Sequence, residues 1–80
     1  MRVDEVVEKI KKIGICSREE IQDKILEAFK GYSCGGETRV LIQRAGYNSF
    51  IARVDHVNSP VINIFVDVEG DDFRVLDAWT

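Results

Sequence analysis

Lysine is absent from the second half of this sequence, and proline, histidine, tryptophan and cysteine are scarce throughout. All five lysines lie at or before Lys30, and the chain has one proline, one histidine, one tryptophan and two cysteines. Small secreted domains usually rely on a denser disulfide framework than two distant cysteines can give. We therefore interpret Cys16 and Cys34 as reduced thiols.

Long hydrophobic runs are also absent. No segment approaches the roughly 18 apolar residues of a membrane span, and the N-terminus lacks the apolar region of a signal peptide. We therefore expect a cytoplasmic protein without membrane contact. With 80 residues, of which 45% are hydrophobic, the chain has room for one domain over residues 1–80 and one core. A deep active-site cavity is not expected at this size.

The charge is unevenly distributed along the chain. Residues 1–31 hold seven acids and seven bases, whereas residues 32–80 hold seven acids and four bases, so the second half has a net charge of −3. A surface that grips a phosphate backbone is expected to be basic, because neutralised phosphates supply most non-specific affinity. The balance argues against nucleic acid as a partner.

Two amphipathic helices are predicted in the first 31 residues. The spacing of Val3, Val6 and Ile10 is that of one helical face, and Gly14 is well placed to end this helix. Ser17 and Glu20 have the spacing of a capping box, which predicts a second helix beginning at Ser17. The apolar face of this helix is formed by Ile21, Ile25, Ala28 and Phe29. Gly31 is expected to end it.

The rest of the chain predicts four strands joined by short turns. Such connections allow hairpins but no parallel crossover, so the sheet should be an antiparallel meander. The predicted fold is α+β, with two N-terminal helices packed on one face of a four-stranded sheet in the order ααββββ. The strands are expected near residues 38–44, 49–57, 61–68 and 73–79.

Alternation along the strands assigns side chains to two faces. The core face is predicted to hold Val40, Ile42, Phe50, Ala52, Val54, Ile62, Ile64, Val66, Val68, Phe73, Val75 and Trp79, with Asp77 interrupting the last run. The opposite face should still be partly apolar. Its predicted binding residues are Arg39, Leu41, Ile51, Arg53, Phe65, Arg74 and Leu76.

A stripe of Leu, Ile and Phe among arginines, without lysine, is typical of protein interfaces. The alternative is an ordinary surface, because strands favour such residues wherever they point. The assignment depends on register, since a one-residue slip or a bulge would invert it.

No catalytic or metal-binding pattern is evident. His56 is the only histidine, and we expect it to be a partly buried, hydrogen-bonded side chain. Cys16, Cys34 and His56 lack the spacing of a zinc site. The Gly-rich stretch at residues 31–37 follows a helix and precedes a strand, the reverse of a phosphate-binding loop. We expect no cofactor, no metal and no enzymatic activity.

The order of two helices and four antiparallel strands resembles that of small bacterial ribonuclease toxins of the RelE and colicin type. The resemblance covers most of the chain as an element order, with no motif matched. It implies metal-independent RNA cleavage or RNA binding, with Arg53, His56, Arg74 and Tyr47 as candidates. Those toxins tend to be strongly basic, unlike this sheet half.

The leading hypothesis is a small non-enzymatic protein-binding module that acts through the exposed sheet face. An inhibitor, an immunity factor or a phage-type accessory protein would act in this way. An acidic binder favours a basic, nucleic-acid-handling partner protein. A homodimer, formed through the same face or by an exposed edge strand, is the alternative assembly.

Overall fold

The computed structural model describes residues 2–30, 38–57 and 59–80, which form two helices and a five-stranded antiparallel sheet. The α+β class and the antiparallel sheet are confirmed, but the element order is αβαββββ instead of the predicted ααββββ. The elements are α1 (Val3–Lys11), β1 (Ile15–Ser17), α2 (Ile21–Ala28), β2 (Thr38–Arg44), β3 (Ser49–His56), β4 (Ile62–Glu69) and β5 (Asp72–Trp79).

Helix α1 forms where its apolar stripe was predicted. Val6 and Ile10 are fully buried, and the acids Asp4 and Glu5 lie in the first turn, where the helix dipole favours negative charge. After the helix, Gly14 has φ near 70°, which an L side chain rarely adopts. This glycine turns the chain directly into β1.

Helix α2 begins at Ile21, four residues later than predicted. Ser17 belongs to β1, and its Oγ accepts a hydrogen bond from the Glu20 N–H at 3.2 Å. The expected serine bond therefore forms, but it closes the turn at residues 18–20 ahead of the helix. Ile21, Ile25 and Ala28 are buried on the sheet side of α2.

The sheet has the strand order β1-β5-β4-β3-β2. The four long strands form the expected meander, and β1 adds a fifth strand that pairs with the beginning of β5, with Cys16 opposite Phe73. A segment of three residues has too little alternation to predict a strand. Its extended conformation depends on β5 as a partner.

The core lies between the helices and one face of the sheet, called the inner face below. Among the described residues, no polar or charged side chain is buried. The buried core consists of Val6, Ile10, Cys16, Ile21, Ile25, Ala28, Phe29, Ala52, Val54, Ile62, Ile64, Val66, Phe73, Val75 and Ala78. Ile42, which was predicted to lie in the core, is 39% exposed, because β2 is only partly covered.

A β-bulge changes the face of the last residues of β5. Phe65 pairs with Asp77 and Val66 with Val75, so Leu76 is an extra residue without a partner. Beyond the bulge Ala78 takes the inner position, and Trp79 is 42% exposed. The prediction that Trp79 is a core residue is therefore wrong, because strict alternation does not continue through an extra residue.

Candidate functional site on the outer face of the sheet

The outer face is the side of the sheet that points away from the helices. Residues directly opposite each other in an antiparallel sheet share a face, so the register orders these side chains into rows. One row is Leu41, Arg53, Asn63 and Trp79; the next is Gln43, Ile51, Phe65 and Asp77; the third is Ser49, Asp67, Arg74 and Ile15.

The apolar side chains of the outer face form a bent stripe. Ile51 and Phe65 lie directly opposite each other and are partly buried. Leu76 is the extra residue of the bulge, next to Asp77, which lies opposite Phe65. Leu41 lies one row away, diagonal to Ile51, with Trp79 at the other end of the same row. Leu41 and Leu76 are each at least half exposed.

Ion pairs flank the stripe on both sides. Arg53 Nε lies 3.5 Å from Asp55 Oδ1, and Arg74 Nη2 donates a hydrogen bond to Glu69 Oε2 at 2.9 Å. Arg39 is opposite Asp55 in the register. All of these groups are well exposed, so the pairs contribute little to stability.

The outer face has more acids than bases. Its three arginines are Arg39, Arg53 and Arg74, and the register places five acids on the same side, so its formal charge is 3 − 5 = −2. The acids are Asp55, Asp67, Glu69, Asp72 and Asp77, of which Asp77 lies at the border with α1, 4.0 Å from Lys11 Nζ. The face therefore offers apolar contacts inside a mixed, mildly acidic rim.

Sequence reasoning missed Trp79 and Ile15 as members of this face. The signal for Trp79 was present, because Asp77 falls on a predicted core position and an acid there indicates a break in the alternation. Ile15, which is 53% exposed, becomes part of the face only because β1 pairs with β5 opposite Arg74. The three residues of β1 alone contain no feature that predicts this pairing.

The four residues considered for a ribonuclease site do not lie close together. Arg53 and Arg74 lie on the outer face in different rows, whereas His56 is on the inner face and stacks on Phe29, with ring centroids 5.3 Å apart. Tyr47 is 89% exposed in the β2–β3 connection. This connection and His56 lie at opposite ends of β3, roughly 20 Å apart at about 3.3 Å per residue.

Cys16 has the environment of a core residue. It is buried against β5, and burial raises the pKa of its thiol, with the nearby Glu20 adding to the shift. A thiol in such surroundings is a poor nucleophile. Cys34 and the Gly-rich stretch at residues 31–37 lie outside the described residues. Within the described ranges, no three His, Cys, Asp or Glu side chains cluster as metal ligands would.

No protein-family model, curated protein or solved structure matches this chain. No helix in the described part of the chain is long and apolar enough to cross a membrane. The outer face, with its residue types and their exposure, is therefore the feature from which a function can be inferred.

Proposed function

We propose that this protein is a small, non-enzymatic, cytoplasmic binding module that covers another protein with the outer face of its sheet. The observation that supports it most is the exposure of Leu41, Leu76 and Trp79 beside the partly buried pair of Ile51 and Phe65. The described helices pack on the inner face, and only α1 comes near the outer residues, at the end of β5, where its side chains line a groove together with Trp79. Contiguous apolar side chains rimmed by polar groups are typical of interaction surfaces.

The residue types support a protein as the partner. Interface centres are enriched in aromatic residues and arginine and depleted in lysine, and the tightest contacts come from tryptophan and arginine. On the outer face, Phe65 is diagonal to Arg53, and Trp79 lies in the same row as Arg53 with Asn63 between them. The strand residues of this face include no lysine. Arg53 and Arg74 are about half exposed beside Asp55 and Glu69, so both guanidinium groups are accessible to a partner.

The charge supports a basic partner protein over a nucleic acid. Complementary potentials speed encounter and select partners, and the face has a formal charge of −2. The excess of acids over bases on this face disfavours a phosphate backbone. A nucleic-acid-handling protein that presents a basic surface fits this chemistry, which suits an inhibitor, an immunity factor or a phage-type accessory protein.

The experiment compares two leucine substitutions on opposite sides of the molecule. Leu76→Asp places a charge in the apolar stripe, whereas Leu26→Asp makes the same change at an exposed position on α2. Each tagged variant is used to capture proteins from an extract of the source organism. We expect a partner that binds the wild type and Leu26→Asp and is lost with Leu76→Asp.

The opposite pattern would contradict the proposal. A partner that is lost with Leu26→Asp and kept with Leu76→Asp would place the binding surface on the helices. RNA cleavage by the purified protein, abolished by His56→Ala and unaffected by Leu76→Asp, would replace a binding function with the ribonuclease alternative.

A further inference from the structure

The two edges of the sheet are built differently, and within the described ranges the β2 edge is open. Strand β2 pairs with β3 along all seven residues, and no strand lies on its other side among the described residues. At the far edge, beyond the short β1, strand β5 has its bulge, and Asp77 Oδ1 accepts a hydrogen bond from the Ala78 N–H at 2.8 Å. Bulges, prolines and charged side chains, above all lysine, protect edges from further pairing. β2 has no bulge, proline or lysine, and its charged residues are Arg39 and Arg44.

The hydrogen bonds of the β2–β3 hairpin fix which backbone groups of β2 face outward. The Ala45 N–H donates to the Ser49 carbonyl at 2.9 Å, so the backbone of Ala45 faces β3. In an antiparallel pair this orientation alternates, and the register is continuous over Thr38–Arg44. The residues whose N–H and C=O groups face the open edge are therefore Thr38, Val40, Ile42 and Arg44.

The sequence of β2 is nearly symmetric about Leu41. Reading outward from this residue, Val40 and Ile42 are both β-branched aliphatic residues and Arg39 and Gln43 both have long polar side chains, whereas the end residues Thr38 and Arg44 differ. We propose that β2 pairs antiparallel with β2 of a second copy of this chain, with Leu41 opposite Leu41 on the two-fold axis. No arginine then lies opposite an arginine.

This register agrees with the backbone orientation. It pairs Val40 with Ile42 and Thr38 with Arg44, and all of these residues direct their N–H and C=O groups toward the edge. A shift by one residue would place each of them opposite a residue whose groups already bond to β3. A shift by two residues would keep the orientation but reduce the overlap and leave Leu41 without its own copy opposite.

The exposed side chains of β2 support the same assembly. Ile42 is 39% exposed on the inner face, at the border where the helices no longer cover the strand. In the dimer it packs beside Val40 of the second copy. Leu41, which is 53% exposed, meets its own copy on the outer face. Cross-strand pairs of this kind each stabilise a sheet modestly.

The result is a continuous ten-stranded sheet, five strands from each copy. The two-fold axis runs perpendicular to the sheet, so both outer faces lie on one side and both helical layers on the other. The dimer shares only Leu41 with the proposed binding surface and does not depend on partner binding. It uses the edge of β2, whereas Leu76 and Trp79 lie toward the opposite end of the strand order.

Cross-linking through cysteine tests the register. In a background of Cys16→Ala and Cys34→Ser, Leu41→Cys places two thiols directly opposite each other in a non-hydrogen-bonded pair, where a disulfide fits. Gln43→Cys is the matched control, because it faces the same side and lies opposite Arg39. We expect oxidation to link Leu41→Cys into a covalent dimer and to leave Gln43→Cys unlinked. Linking of the control alone would overturn the register.

Solution mass tests the edge itself. We expect light scattering of the wild type to give twice the 9.1 kDa chain mass at high concentration. Ile42→Pro removes the N–H that faces the edge and leaves the hydrogen bonds between β2 and β3 in place. This variant should therefore have half the mass, with an unchanged circular dichroism spectrum. Ile42→Val keeps the N–H and should stay dimeric. A monomeric wild type, or a dimer that survives Ile42→Pro, would overturn the proposal. Leu76→Asp should leave the mass unchanged whether or not the proposed function holds.

Discussion

The two faces of the sheet use apolar residues for different purposes. On the inner face, Val54, Ile62 and Ile64 are completely buried under the helices, and no described polar side chain is buried with them. On the outer face, Leu41 and Leu76 stand half exposed among ion-paired arginines. Burial stabilises a fold in proportion to the area removed from water, so the inner residues stabilise this fold far more than the outer ones do.

Truncation of neighbours on β4 should show the largest difference between the faces. Ile64 is fully buried, so Ile64→Ala is expected to lower the free energy of unfolding by about 2–5 kcal/mol. Phe65, the next residue, is only partly buried on the outer face, and Phe65→Ala should cost clearly less. Urea denaturation monitored by circular dichroism measures both, and equal losses would contradict the division between faces.

The bulge that separates Trp79 from the core is expected to depend on Asp77. Asp77→Ala removes the acceptor of the Ala78 N–H, which should cost about 0.5–1.5 kcal/mol. Asp77→Asn keeps an oxygen acceptor and loses only the charge that lies 4.0 Å from Lys11 Nζ, so it should remain close to the wild type. If both variants lose the same stability, the charge and not the hydrogen bond holds the bulge.

Because Cys16 is buried on the inner face, the stability of the protein is expected to depend on pH. Burial raises the pKa of this thiol in the folded state, so folding favours the protonated form. The stabilisation is complete below the ordinary thiol pKa of about 8.5 and decreases as the pH rises through the folded pKa. The stability difference between wild type and Cys16→Ala should therefore shrink as the pH rises above the ordinary thiol pKa. A constant difference would show that the thiol does not ionise differently on folding.

A charge on the outer face should have the smallest effect on stability. Leu76→Asp is expected to change the free energy of unfolding by no more than about 0.5 kcal/mol, because Leu76 is half exposed and has no partner strand residue. Thermal unfolding measures the effect, and Leu26→Asp, unfolded under the same conditions, is the control. A loss of several kcal/mol would show that the outer face is part of the stabilising core after all.

Much of this fold follows from local pattern. Period-two alternation located the four long strands to within one or two residues, and the spacing of Val3, Val6 and Ile10 predicted α1. β1 was not predicted, because a three-residue strand is defined by its pairing with β5 and not by its own sequence. The beginning of α2 was placed too early, because the hydroxyl of Ser17 caps a turn.

The candidate site was predictable in its centre and not at its margins. Ile51, Phe65 and Leu41 have the faces that alternation assigns to them, because β2, β3 and β4 pair in continuous register. Trp79 was assigned to the wrong face, because the extra residue at Leu76 shifts the alternation of β5. Whether a bulge occurs depends on strand pairing, which a single strand's sequence does not contain.

The most direct test of the binding function uses Trp79, the only tryptophan of the chain. Replaced by fluorotryptophan, it gives a single fluorine NMR signal that an unlabelled partner does not obscure. We predict that a partner captured by the wild type shifts this signal and reduces its exposure to solvent. Binding at full occupancy with an unchanged signal would contradict the assignment of the outer face as the binding surface.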